Sequence, residues 1–388
     1  SGHFLSSDAL GQTGVVPRGS LVLDSHWQQE PFAQVETARR HTIALRGDGR
    51  VDAWGDNYSG ECQVPDLPAG LTYTEVEAGG VWICPFDCIY LGLSAARRSD
   101  GSVVVWGYNA NAVTSIPALP PGVDYVDIAM RGSHIVALRS DGSIEAWGEN
   151  NHGQCNVPAL PAGMTYVEVA AGWYYSLARR SDGSIVSWGL NTSGQLDAPA
   201  PPPGLSYVEL AAGSQHSLGR LSDGSVVAWG LNTSGQGNVP SLPAALTYVE
   251  IHAGAFHSVA RRSDGSVVAW GRSDEGQTIV PAAPGGLAYA EVDAGEHHCI
   301  ARRSDGLTVA WGKNDYGQGN VPELPTGVQY VQAAVGGRSV GTSQSIGHLL
   351  LRRSDGEVVA IGTNGNGQSN VPPLPAGLRY VDIAGGLS

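Results

Sequence analysis

Residues 213–236 read Gly-Ser-Gln-His-Ser-Leu-Gly-Arg-Leu-Ser-Asp-Gly-Ser-Val-Val-Ala-Trp-Gly-Leu-Asn-Thr-Ser-Gly-Gln. Asp223-Gly224 is a strong hairpin signal between two short apolar runs, and Trp229 follows six residues after the Asp. The same spacing recurs at Asp48/Trp54, Asp100/Trp106, Asp141/Trp147, Asp182/Trp188, Asp264/Trp270 and Asp305/Trp311. An eighth copy at Asp355 carries Ile361 in the Trp place. From Asp100 to Asp305 the interval is 41 residues every time; the first interval is 52 and the last 50. A fixed period of this size marks a repeat architecture, and its copies cover residues 31–388.

One unit, 163–203, reads as four short strands. Tyr166-Val-Glu-Val-Ala alternates and meets Gly172; Ser176-Leu-Ala-Arg-Arg runs into Ser181-Asp182-Gly183; Ser184-Ile-Val-Ser-Trp188-Gly189 returns. Asn191-Thr-Ser-Gly-Gln195 then turns into an outer segment ended by prolines, and proline suits a sheet edge. No segment has helical periodicity. A unit this small cannot bury both faces of its sheet alone. Radial packing hides each sheet between two neighbours, so the expected fold is all-β: a single β-propeller of four-stranded blades.

The pattern Gly-x-x-His-Ser-x-Ala-x-x-Ser-Asp-Gly-x-Val-x-x-Trp-Gly-x-Asn-x-x-Gly-Gln resembles the regulator of chromosome condensation repeat, and residues 213–236 match it almost throughout. The Val-Val-Ala-Trp-Gly strand and the 41-residue period are most similar to the compact bacterial members, among them β-lactamase inhibitory protein II. That family's propellers usually have seven blades. Eight hairpins here predict eight, with seven as the alternative. The chain also ends on a ninth inner-strand copy, Tyr380-Val-Asp-Ile-Ala, while the first hairpin has only Val35-Glu-Thr-Ala ahead of it. The C-terminal strand is therefore expected to complete the first blade and remove an open edge.

Composition narrows the partners. The 388 residues carry a formal charge of −14, with 36 acidic residues against 22 basic, so no basic stripe offers itself to nucleic acid. No apolar run approaches the ~18 residues of a membrane helix. Residues 1–30 carry no repeat, and Val-Pro-Arg-Gly-Ser at 16–20 is either natural leader or appended sequence, so this segment is set apart as poorly structured. Of five cysteines, Cys84 and Cys88 share one short loop. They could bridge in an oxidising compartment, or all five stay as thiols.

The copies act as their own control. Ser-Asp-Gly turns and Val-Pro-x-Leu-Pro-x-Gly connections barely change. The two residues before the His-Ser position change most: Arg39-Arg40, Gly132-Ser133, Trp173-Tyr174, Ser214-Gln215, Ala255-Phe256 and Glu296-His297. The second and eighth units carry insertions there, one holding Trp82, Phe86 and Tyr90, the other Arg338. The tetrads after Trp-Gly vary too, as in Asp56-Asn-Tyr58 and Lys313-Asn-Asp-Tyr316. Blade topology puts both variable sets on one face and both uniform sets on the other. Unlike loops on a rigid scaffold are how loops carry binding, and aromatics rimmed by charge anchor protein interfaces. The expected partner-binding residues are Trp82, Phe86, Tyr90, Trp173, Tyr174, Gln215, Phe256, His297 and Arg338. The resemblance to the inhibitory protein assigns Trp82, Trp173, Tyr174 and Phe256 the same role.

Catalytic and metal readings find little support. Six units place His at one position (His41, His134, His216, His257, His298, His348), but equivalent positions lie far apart around a propeller axis. Buried histidines bonding the same turn in each blade explain them, and the Trp-Gly tryptophans read as packing between blades. His297 beside His298 could add a ligand. No nucleophile elbow or phosphate-cradling loop is present. The expectation is a non-catalytic, monomeric, protein-binding module without cofactor, extracellular or periplasmic, inhibitor-like or adhesion-like. The alternatives are a guanine-nucleotide exchange factor for a small GTPase, as the eukaryotic family members imply, and a carbohydrate-binding propeller.

Overall fold

The computed structural model describes residues 41–83, 89–109, 112–132, 134–340 and 344–384. They form eight antiparallel sheets, the blades of one all-β propeller. Blade 4 is typical, with an inner strand Tyr166–Ala171, a middle strand Tyr175–Arg180 and an outer strand Ile185–Gly189. The hairpin forms because Asp182 Oδ1 accepts from both the N–H (2.9 Å) and the hydroxyl (2.7 Å) of Ser184. Gly183 adopts φ 78°, and a Cβ there would sit 2.3 Å from Ser206 Cβ, so only glycine fits the turn.

Each sheet has three laddered strands rather than four. The expected outermost segment, such as 195–203, follows the third strand without joining the ladder. Its prolines remove the N–H groups that a fourth rung would need.

The clasp is present. Blade 1 consists of His41–Arg46, Val51–Gly55 and the C-terminal strand Tyr380–Ala384, with Ile43 opposite Ala384 and Leu45 opposite Asp382. The degraded copy at 35–38 lies outside the described residues.

Cores lie between blades, not within them. Ile144 and Val136 of blade 3 pack with Tyr166, Val169 and Trp188 of blade 4. Burying one indole removes roughly 150–250 Å² of surface, about 4–6 kcal/mol before entropy. The indole N–H is satisfied across the same seam: Trp188 Nε1 donates to Gln154 C=O at 2.8 Å. Ser176 Oγ donates to that carbonyl at 2.9 Å and meets His134 Nε2 at 3.1 Å. The repeated histidines therefore bridge to the next blade instead of bonding a turn in their own. His41–Ser94, His216–Ser258, His257–Cys299 and His348–Thr42 repeat the link at 2.9–3.1 Å. Burial pushes these five rings down to about 3 or 4, so they are neutral acceptors or donors, not cations.

Candidate functional site: the variable loop face

Hydrogen bonds sort the loops onto two faces. On one, Gly183 C=O of the Ser-Asp-Gly turn accepts from Tyr207 N–H at 2.9 Å, tying a turn to the end of a connection. On the other, the variable sets bond each other. Tyr174, Gln215, Phe256 and His297 present carbonyls to Leu190, Leu231, Arg272 and Lys313 N–H at 2.8–3.0 Å. The loop before each middle strand is thus fixed to the tetrad after the outer strand, on one side of the ring.

Side chains then join neighbouring blades across this face. The His152 ring meets Tyr174 edge-on with centroids 5.2 Å apart. Ser193 Oγ donates to Gln215 Oε1 at 3.2 Å. Within blade 6 the Arg272 guanidinium lies 5.9 Å from the Phe256 ring centroid. Glu275 faces His297 at 3.2 Å and holds Lys313 Nζ at 2.5 Å.

Trp173, Tyr174, Gln215 and Phe256 are half-buried in this arrangement, each leaving only part of its surface for a partner. His297 is 3% exposed and Glu296 4%, so that pair underpins the loop rather than offering surface. Burial, then the Arg272 and Lys313 charges, pushes His297 down to about 4, leaving it neutral. Among the described residues the exposed aromatics are Tyr58 at 75% and Tyr316 at 43%, both in the tetrads. Sequence reasoning saw those tetrads vary but did not select the two tyrosines; their place in the only variable set beside the first could have singled them out.

The two insertions extend the hairpins of blades 2 and 8. Strands Tyr73–Ile83 and Ile89–Arg98 continue pairing from Gly79↔Leu93 to Ile83↔Ile89, with Trp82 directly opposite Tyr90. Strands Tyr330–Val340 and Gln344–Arg353 continue from Gly336↔His348 to Val340↔Gln344, with Arg338 opposite Ile346. Each extension adds five residue pairs beyond the point where blade 4 stops, roughly 15 Å of ribbon. Blades 2 and 8 flank blade 1, the blade whose tetrad carries Tyr58. Phe86, Cys84 and Cys88 lie outside the described residues. Cys62, Cys155 and Cys299 are free thiols, and burial pushes Cys62 and Cys155 up to about 12.

The inner strands carry a second polar ring. Glu168, Glu209 and Glu250 each pair with an arginine of their own middle strand at 2.5–2.7 Å. Each also accepts an N–H from the next blade, from Leu210, Ile251 and Val292 respectively. These carboxylates are committed to the scaffold.

Known proteins place the repeat. The family model described as the regulator of chromosome condensation (RCC1) repeat matches residues 33–61, 166–195, 207–236, 248–277 and 289–318. No curated protein matches the sequence. Among solved structures, Prp20p from Saccharomyces cerevisiae, described with its binding to Gsp1p and histones, is similar with a TM-score of 0.53 and 20% identity. That match covers 76% of this chain and 85% of that one. Human WBSCR16 is similar with a TM-score of 0.55 and 15% identity over 76% of this chain and 97% of its own. The ectodomain of the Arabidopsis thaliana receptor kinase ACR4 gives 0.50 and 20% over 77% and 98%. At such identities the likeness carries the fold. The five matched stretches are regulator of chromosome condensation repeats.

Proposed function

We propose that this propeller of regulator of chromosome condensation repeats is a non-catalytic binding module that takes a protein partner on its variable face. The observation that supports this reading is the convergence of both variable loop sets on one side, where they are hydrogen-bonded to each other in four consecutive blades. A uniform scaffold with one diversified side fits recognition. The exposed rings of Tyr58 and Tyr316 and the half-buried Trp173 and Phe256 supply the aromatic anchors such interfaces use, and the ribbon of blade 2 carries Trp82 and Tyr90 in its sequence. In this reading the chain acts outside the cell as an inhibitor-like or adhesion-like module.

The test is affinity capture from the source organism. A Tyr58→Ala/Trp82→Ala/Trp173→Ala/Phe256→Ala variant is compared with a Leu307→Ala variant on the uniform face. Loss of a specific captured protein from the first variant alone supports the reading. Equal retention by both overturns it. Prp20p's association with Gsp1p favours a second reading, nucleotide exchange on a small GTPase, and accelerated release of bound nucleotide from a GTPase of the same source would establish it.

A further inference from the structure

Seven of the eight seams share one hydrogen bond, from an indole N–H to a loop carbonyl of the preceding blade, at 2.8–3.0 Å. The seam between blades 7 and 8 does not. Ile361 occupies the indole position and has no N–H to give the Gln318 carbonyl.

The second link fails at the same place. Leu349 stands where six other blades have Ser, Thr or Cys, and His298 Nε2, on a side chain 3% exposed, has no hydrogen-bond partner among the described residues. The carboxylate ring is also loose here. Arg302 lies 3.4 Å from Glu291, against 2.5–2.7 Å in the three preceding blades. A cavity of about 20 Å³ remains, lined by Glu291, Arg302, Thr308 and Gln332. The buried Thr308 hydroxyl also lacks a partner among the described residues.

The seam between blades 2 and 3 shows the contrast. It too lacks the His–Ser link, but both partners are replaced, by Leu93 and Ile135, which pack in one apolar cluster. Replacing both ends of a buried hydrogen bond is nearly neutral, whereas replacing one strands the other. The 7/8 seam has only the one-sided kind.

We infer that the seam between blades 7 and 8 is the built-in opening point of the ring: it parts before any other, including the clasp, and frees the long hairpin of blade 8 from the loops of blade 7. This inference does not depend on the identity of any partner. Cysteine at one repeat position reads it directly. Leu351→Cys in the 7/8 seam and Ala137→Cys in the 2/3 seam, at equivalent buried positions that take no part in the histidine link, are exposed to a thiol reagent under native conditions and followed by peptide mass spectrometry. Native Cys299, buried in the 6/7 seam, is the internal reference.

Leu351→Cys is expected to label at least ~10-fold faster than the other two sites, as a local opening well below the global unfolding free energy implies. Equal rates, or faster labelling at Ala137→Cys or Cys299, overturn the inference. Repair gives an independent reading. His298→Leu copies the 2/3 seam, removing the stranded ring nitrogen while Leu349 keeps its packing. It is expected to raise the melting temperature by about 2–4 °C. No gain from it overturns the inference.

Discussion

The indole N–H of Trp54 donates to the carbonyl of Gln368 at 2.9 Å, joining the first laddered blade to the last across 314 residues of sequence. Thr42 Oγ1 reaches the same carbonyl at 3.1 Å and His348 Nε2 at 3.1 Å. The ring is thus closed by the same device that joins its interior seams, on top of the strand exchange in blade 1. Deleting residues 379–388 removes Tyr380, 1% exposed and packed with Trp54. The expected loss is about 3–5 kcal/mol or more, read as a lower urea midpoint. An unchanged midpoint would show that the terminal strand is dispensable.

Ser176→Ala should cost about 1–3 kcal/mol, because it leaves His134 Nε2 without its partner in a buried seam. A His134→Leu/Ser176→Ile double variant, which copies the Leu93/Ile135 pair, should recover most of that loss. Chemical denaturation of the three proteins checks the order; a double variant weaker than the single would contradict it.

The bridging histidines predict acid sensitivity. Burial lowers their folded pKa to about 3 or 4, while in the unfolded chain they titrate near 6.5. Their contribution is fully present above pH 6.5 and is lost as the pH falls from there toward 4. Each adds a slope of ~1.4 kcal/mol per pH unit in that window. Urea midpoints measured between pH 7 and pH 5 should therefore fall steeply, and less steeply in the His134→Leu/Ser176→Ile variant.

Glu291 works in the opposite direction. Burial pushes it up to about 8; Arg302 pulls it back, while Glu250 and Asp293 raise it further. The folded chain holds this proton where the unfolded one does not, so stability drops as the pH climbs from about 4.5 to 8. Glu291→Gln should gain relative to the parent at pH 8.5 and show little difference at pH 4.5. Identical pH profiles for the two proteins would remove Glu291 from the account.

Tyr58→Ala should leave stability within about 0.5 kcal/mol, since the ring is three-quarters exposed. Phe256→Ala should cost more, because the ring is half-buried against Arg272. Thermal melts separate the two, and a large loss from Tyr58→Ala would place that ring in the scaffold rather than on the binding side.

Much of the architecture was legible because each unit repeats the same local instructions. Asp182-Gly183 makes a hairpin in any context, and the surplus copy at Tyr380 had no other blade to complete. The sidedness of the loops followed from strand alternation alone. What escaped were relations between copies. His134 and Ser176 belong to different units, and their bond becomes visible only when adjacent blades face each other. The paired change to Leu93 and Ile135 was the trace of it in the sequence. Exposure escaped too: His297 sits in a loop of the expected kind, yet Glu275 of the neighbouring tetrad packs against it, while Tyr58 and Tyr316 stand clear.

Blade 1 joins strands far apart in sequence, with Ile43 opposite Ala384. A ribosome adding roughly 5–20 residues per second would make Ile43 tens of seconds before Ala384 exists. Through that interval the earliest hairpin has no inner neighbour, and the nascent disc must stay an open arc. Synthesis order thus makes the oldest blade the last to mature.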